Sequence, residues 1–315
     1  MNFGAQELSQ MNQRSKGVQV NGWLHVSGTE LMNSSDEPVV LKGMSTYGMQ
    51  WKPEFASSGS FRTLKKLGAN LIRIAMYTDE GGYLTHPEVA KEVFRAADAA
   101  IAEDMYVIID WHILHDGNPM NNQEKAAEFF RQVSSRYADS PAVLYEICNE
   151  PNGHVTWEQD IKLYAEEIIP VIRNNAPKSV IIVGTPSWSQ DVDVVSQSPL
   201  RGENLMYACH FYAGTHGKEL QKKIDTARSH GAAIFISEWG TTRADGDGGV
   251  FPQETQQWLR FMAERNLSWA NWSLGDKNEA SAALRVGASP DGNWTASDLT
   301  ASGKLVFAAL QQSKM

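Results

Sequence analysis

Cysteine is scarce in this chain: two residues, Cys148 and Cys209, among 315. Two thiols make no disulfide framework, so the fold must be held by buried apolar surface, and both are expected to stay free. Positive charge is also short, with 28 Lys and Arg against 37 Asp and Glu and a net charge of −9. That balance argues against nucleic acid or an anionic membrane as partner. No apolar run reaches the roughly 20 residues that a bilayer requires. The first sixteen residues are polar and carry no hydrophobic export segment, which leaves a cytoplasmic protein or a form without its leader. No Pro/Ser-rich linker divides the rest. The expected organisation is a polar tail at 1–16 and a single domain at 17–315.

What the chain does have is a repeating alternation. Short β-rich runs recur at VVLKGMST (39–46), NLIRIAMY (70–77), YVIIDWH (106–112), VLYEICNE (143–150), VIIVGTP (180–186), LMYACHFY (205–212), AIFISEWG (233–240) and SWANWSLG (268–275). Amphipathic stretches such as PEVAKEVFRAADAAIAED and WEQDIKLYAEEIIPVIRNNA separate them. The runs are mostly apolar rather than alternating, as parallel strands covered on both faces should be. Eight strands with eight helical connections predict an α/β fold, a (β/α)8 TIM barrel. A doubly wound open sheet is the alternative, and the count of eight favours closure. Before the first strand, VQVNGWLHV with its Asn21-Gly22 pair reads as an N-terminal β-hairpin closing the bottom of the barrel.

Chemistry in such barrels sits at the C-terminal ends of the strands. Those ends carry Tyr47, Arg73 with Tyr77, His112, Asn149 with Glu150, Trp188, His210 with Tyr212, Glu238 and Trp272. A barrel built for stability alone has no need of this polar and aromatic ring. There is no G-x-S-x-G elbow and no complete phosphate loop. DGDGG (245–249) opens like a calcium loop, but Pro252 and Gln256 stand in the wrong places. HILHD (112–116) has metal-like spacing without clear further ligands, so neither metal nor cofactor is expected. Two glutamates remain, Glu150 and Glu238.

A pair of carboxylates at a barrel mouth ringed by indoles suits glycoside hydrolysis, and the retaining form needs them about 5–5.5 Å apart. Arg73 could keep Glu238 ionised and Tyr212 could donate a hydrogen bond to it. Glu150 would have to stay protonated to act as the acid. Asn149 could bond the sugar 2-hydroxyl. Parity along the strands places Cys148 inside the barrel and Cys209 against the helices.

At these residues the sequence resembles glycoside hydrolase family 5, and within it the bacterial endoglucanases. Asn149-Glu150-Pro151 is similar to that family's acid/base motif and FISEWG to its nucleophile motif around Glu238. Arg73 in IRIAMY, His112 in DWH, His210 and Tyr212 in HFYAGTHG, and Trp272 in ANWSLGDKNEASAAL match as well. The resemblance runs from about Val18 to the end of the chain. It implies a secreted, retaining endo-β-1,4-glucanase acting as a monomer on a β-glucan. It further implies that Trp51, Trp188 and Trp272 line the cleft and that Lys277 and Glu279 bond a sugar on the non-reducing side. One departure is Tyr47, where these cellulases commonly carry histidine. A β-mannanase or mixed-linkage glucanase would share both glutamates, and a non-catalytic carbohydrate-binding barrel would share the cleft.

Overall fold

The computed structural model describes residues 16–312, so the expected polar tail lies, but for Lys16, outside the described residues. A two-stranded antiparallel hairpin, β1 (His25–Ser27) and β2 (Glu30–Met32), precedes eight parallel strands. These are β3 (Lys42–Thr46), β4 (Leu71–Tyr77), β5 (Tyr106–His112), β6 (Val143–Glu146), β7 (Ile181–Val183), β8 (Leu205–Tyr212), β9 (Ile234–Gly240) and β10 (Trp269–Leu274). Each pairs with its sequence neighbours, and β10 pairs with β3 to close the barrel. The eightfold alternation therefore closes as expected.

Six of the seven segments between consecutive barrel strands carry a long α-helix, and a further helix, Ala301–Gln311, follows β10. The segment between β7 and β8 folds instead around a 3-10 helix, Val192–Gln197. Its sequence, DVDVVSQSP, is rich in β-branched valines and in residues that hydrogen-bond their own backbone, both poor helix formers.

The hairpin is present, but its turn is not Asn21-Gly22. Val18–Asn21 forms one helical turn, ended by Gly22 at φ +64°. An Asn-Gly pair can end a helix as readily as it turns a hairpin, because both need a residue with positive φ. The hairpin turns one segment later, at Gly28, φ +60°. Leu24 and Leu31 from this region pack against the lowest inward side chains of the strands, among them Leu71, Tyr106, Ile108 and Phe235. The Tyr106 hydroxyl donates to the Gly22 carbonyl at 2.7 Å. The bottom of the barrel is thereby sealed with apolar material.

Strand β4 shows the rule that places the site. Ile72, Ile74 and Met76 face the helices and join the main core, while Leu71, Arg73, Ala75 and Tyr77 face inward, rising from bottom to mouth. Period two thus delivers apolar residues to the floor, charges to the middle layer and rings to the mouth. Cys148 departs from that expectation. It lies in the sheet–helix core together with Cys209, and both are free thiols. The regular strand ends at Glu146, so its parity does not carry to residue 148. Burial raises both thiols far above the usual range, which leaves them unreactive.

Candidate active site

Arg73 projects from β4 into the barrel and is wholly buried. Its Nε donates to Glu146 Oε2 at 2.6 Å, its Nη1 to Glu238 Oε2 at 3.0 Å, and its Nη2 to Asn149 Oδ1 at 2.6 Å. Asp110 Oδ2 lies 3.0 Å from Nη2 as well. Burial would lower its affinity for its proton, but Asp110, Glu146 and Glu238 outweigh that and raise it. The guanidinium is therefore a permanent charge under the floor of the site.

Strand β9 supplies two inward side chains in succession. Ala208 pairs with Phe235, but His210 pairs with Glu238, so β9 holds one residue more than β8 across this stretch. Such a bulge re-aims side chains that strict alternation would separate. Ser237 bonds Glu146, and Glu238 meets Arg73. The second Glu238 oxygen, Oε1, accepts from the Tyr212 hydroxyl at 2.8 Å. A Cβ on Gly240 would stand 2.3 Å from Cδ1 of the Tyr212 ring, so glycine is what lets that ring lie beside Glu238. Burial, and then the charges of Glu238 and Glu150, keep the phenol protonated well past its ordinary range.

Two histidines are held in different states. His112 places Nδ1 2.6 Å from Asp110 Oδ2, and its Nε2 lies 3.3 Å from the Asn149 amide. Burial first, and then Arg73, push its pKa down to about 3, so the ring is neutral. The Asn149 amide also donates to the Ile113 carbonyl at 3.0 Å. The Asn149 side chain is buried and engaged at both ends, beneath the cavity rather than along it. His210 places Nδ1 3.0 Å from Glu150 Oε1 and Nε2 2.9 Å from Ser237 Oγ. Burial would depress its pKa, yet its hydrogen bonds to the Glu146 and Glu150 carboxylates prevail and raise it to about 9. Burial likewise opposes the ionisation of Glu146, but Arg73 and His210 outweigh it and hold that carboxyl at about 2. Asp110 goes the other way, pushed well above the usual range by burial, which Arg73 only partly offsets.

Above this layer opens a cavity of about 530 Å³. Its walls include Glu150, Glu238, His112, His210, Tyr212, Tyr77, Tyr47, Trp188, Trp272, Lys277 and Glu279. Trp272 stacks on His112 at 5.3 Å between ring centroids. Trp51 lies beside the cavity, 37% exposed, stacked on Tyr47 at 5.1 Å and tilted against Tyr77 at 4.8 Å. Lys277 sits over the Tyr47 ring and pairs with Glu279. Trp188 is 47% exposed, on a turn where Ser187, Trp188 and Ser189 all have positive φ.

Every candidate from the sequence is thus in or beside one place, with Arg73 and Asn149 below the surface and Trp51 at its edge. The sequence reading missed Asp110, Glu146 and Ser237, which hold the others, and Gln190, His216 and Asp245, which also line the cavity. A charge inside an apolar run is a signal in itself, and Asp110 in DWH and Glu146 in YEI both showed it. Two clusters among the described residues bring three metal-ligand atoms within 4.8 Å of one another: Glu150, His210 and Glu238 in the cavity, and Asp79, Glu80 and His115 on the rim. The two histidines of HILHD do not converge, because His112 turns to Asp110 and His115 to Glu80.

A closed (β/α)8 barrel with two carboxylates over a buried arginine, in an aromatic cavity at the strand ends, defines a class of barrel with the makings of a sugar-cleaving site. Residues 32–278 match the family model for Cellulase (glycosyl hydrolase family 5). The chain belongs to that family. It is 52% identical over 287 residues to an endoglucanase of Clostridium saccharobutylicum, covering 90% of this chain and 64% of the relative. It is 54% identical over 279 residues to endoglucanase A of Evansella cellulosilytica, covering 88% and 57%. Against these two relatives the chain thus spans less than two thirds of their length. The catalytic domain of Thermobifida fusca endoglucanase Cel5A, solved in complex with cellotetraose, superposes with a TM-score of 0.90 at 38% identity, covering 94% of this chain and 99% of that one.

Proposed function

We propose that this protein is a retaining endo-β-1,4-glucanase, with Glu238 as nucleophile and Glu150 as acid and then base. The observation that carries the reading is the carboxylate spacing: an oxygen of Glu150 and one of Glu238 lie within 4.8 Å. Retaining glycosidases hold the pair about 5–5.5 Å apart, whereas inverting ones leave roughly 6.5–9.5 Å for a water. In the first step Glu238 attacks the anomeric carbon while Glu150 gives its proton to the departing oxygen. In the second, Glu150 takes a proton from water, which attacks the same carbon and releases Glu238. Arg73 and Tyr212 each donate to one oxygen of Glu238 and so hold it aimed at the carbon, and the buried His112–Asn149 pair braces Arg73.

The substrate assignment draws on the endoglucanase relatives and on the cellotetraose bound by the Cel5A domain. Trp188 and Trp272 offer flat faces for pyranose rings, Tyr47 and Tyr77 flank them, and Lys277 with Glu279 faces sugar hydroxyls. Trp51 acts by supporting Tyr47 and Tyr77. Cellulose does not cross a membrane, so the protein is read as secreted, and the single domain at 17–315 as sufficient for catalysis in monomeric form. Reducing-sugar release on carboxymethylcellulose, lichenan and galactomannan tests this. Highest activity on carboxymethylcellulose supports the reading. Preference for galactomannan or lichenan would make it a mannanase or mixed-linkage glucanase, and no activity on any of them would leave a binding barrel.

A further inference from the structure

One side of the barrel mouth is built by two loops that follow paired strands. The loop after β3 carries Tyr47 and Trp51, and the loop after β10 carries Lys277 and Glu279. Trp188 follows β7, which stands four strands round the closed barrel from β3 and so directly across it. A glucan chain that spans the cavity from Trp188 therefore ends on these two loops.

The Tyr47 ring is held from both of them. Trp51 stacks on it at 5.1 Å between ring centroids, and Lys277 Nζ lies 4.7 Å from its centroid. Lys52 comes directly after Trp51, and Asp276 directly before Lys277. Lys52 Nζ donates to Asp276 Oδ1 at 2.8 Å, so an ion pair joins the two loops right beside the rings. The other Asp276 oxygen accepts from the Gly287 N–H at 2.9 Å, further along the β10 loop. Both oxygens of this carboxylate are thus committed, and only 10% of the side chain is exposed. Burial opposes the charge on Asp276, but the bonds from Lys52 and Gly287 outweigh it and hold the carboxyl below its ordinary range. Lys52 also lies 3.9 Å from Glu54 on its own loop. That is beyond hydrogen-bond reach, so the directed bond of Lys52 runs to the other loop.

An ion pair with one partly exposed partner adds little to the stability of a whole fold. What it fixes here is local geometry. With the bond broken, the segment bearing Trp51 and the segment bearing Lys277 are free to move apart, and Tyr47 loses its fixed neighbours. A bound sugar then has to order both loops itself, and the cost appears as weaker binding.

We propose that Lys52 and Asp276 are positioning residues, an inter-loop clasp that pre-organises Tyr47, Trp51 and Lys277 as the sugar subsite at this end of the cleft. This rests on the reading of the cavity as a β-glucan site. Neither residue lines the cavity, so the clasp acts on the binding of the glucan and not on the bonds that break.

Initial rates on cellopentaose test it. Asp276→Asn keeps the shape and an oxygen for the Gly287 N–H, but removes the charge that Lys52 needs. It should raise KM about fivefold, the upper end for a pair of this exposure, with kcat within about twofold of the parent. Lys52→Met should do the same, while Lys52→Arg, which keeps the charge and a donor, should leave KM within about twofold. The double variant Lys52→Met/Asp276→Asn should lose no more than either single one, because all three remove the same bond. In about 1 M NaCl the KM of the parent should move towards that of Asp276→Asn, and the KM of the variant should stay where it was. An unchanged KM in the two single variants, losses that add in the double one, or a loss carried by kcat would overturn the clasp. No turnover of cellopentaose by the parent would instead remove the glucanase reading, and the subsite with it.

Discussion

Arg73 and Glu238 meet through Nη1 and Oε2 at 3.0 Å, with no more than 5% of either side chain exposed. An arginine so enclosed cannot shed its charge, and the same side chain also faces Asp110 and Glu146. Breaking a buried ionic cluster on one side costs roughly 3–5 kcal/mol, because the charges left behind have no compensation. Arg73→Met should therefore lower stability by about that much in urea titration, as well as abolish turnover. A loss below ~1 kcal/mol would mean that the three carboxyls compensate one another without the arginine.

Tyr212 offers a gentler probe. Its hydroxyl donates to Glu238 Oε1 at 2.8 Å, and a hydrogen bond to a charged group is worth about 1.5–3 kcal/mol. Tyr212→Phe should cut kcat/KM by roughly 10–100-fold, with the loss carried by kcat, since the nucleophile has lost the donor that orients it. A loss carried by KM alone would place the effect on sugar binding instead.

His210 couples the site to the stability of the fold. Its pKa rises from 6.5 to about 9 on folding, because the carboxylates of Glu146 and Glu150 outweigh burial. A raised pKa contributes stability that is fully present below pH 6.5 and is lost as the pH climbs through 9. The melting-temperature gap between parent and His210→Asn should thus be widest below pH 6.5, on the order of several °C, and should narrow above pH 9. A gap that grows with pH would reverse the sign and show that His210 is neutral in the folded protein.

The two tryptophans nearest solvent should behave differently. Trp188 is 47% exposed at the cavity wall, so Trp188→Ala should raise KM for long cellooligosaccharides about tenfold, the equivalent of ~1.4 kcal/mol, with little change in melting temperature. Trp51 is stacked on Tyr47 and tilted against Tyr77, so Trp51→Ala should lower the melting temperature too. Equal thermal losses in both would remove the distinction between a sugar platform and a support.

Most of the barrel could be read from the chain because buried parallel strands are marked by continuous apolar runs, and eight such runs have few ways to pack. Where reading failed, a local signal had two physical meanings. Asn21-Gly22 ends a helical turn instead of making a hairpin. Cys148 lost its inward parity because β6 stops at Glu146. The tips carried their own signal, since rings and carboxylates ending apolar strands are costly without a use. The layer beneath them was half legible: Asp110 sits two residues before His112 on one strand face, and Glu146 is a lone charge in a buried strand. Ser237 was out of reach, because its inward position depends on a bulge in β9 that no residue type announces.

The double-displacement assignment of the two glutamates is tested most directly on 2,4-dinitrophenyl cellobioside. Glu238→Ala should abolish turnover however good the leaving group, because no nucleophile remains. Glu150→Ala should release a burst of dinitrophenolate and then stall, since the first step needs no acid but the second has lost its base. Azide should restart it by attacking the glycosyl-enzyme, and the product should be the β-azide, the outcome of two inversions. An α-azide, or a burst in Glu238→Ala, would contradict the roles given to both residues.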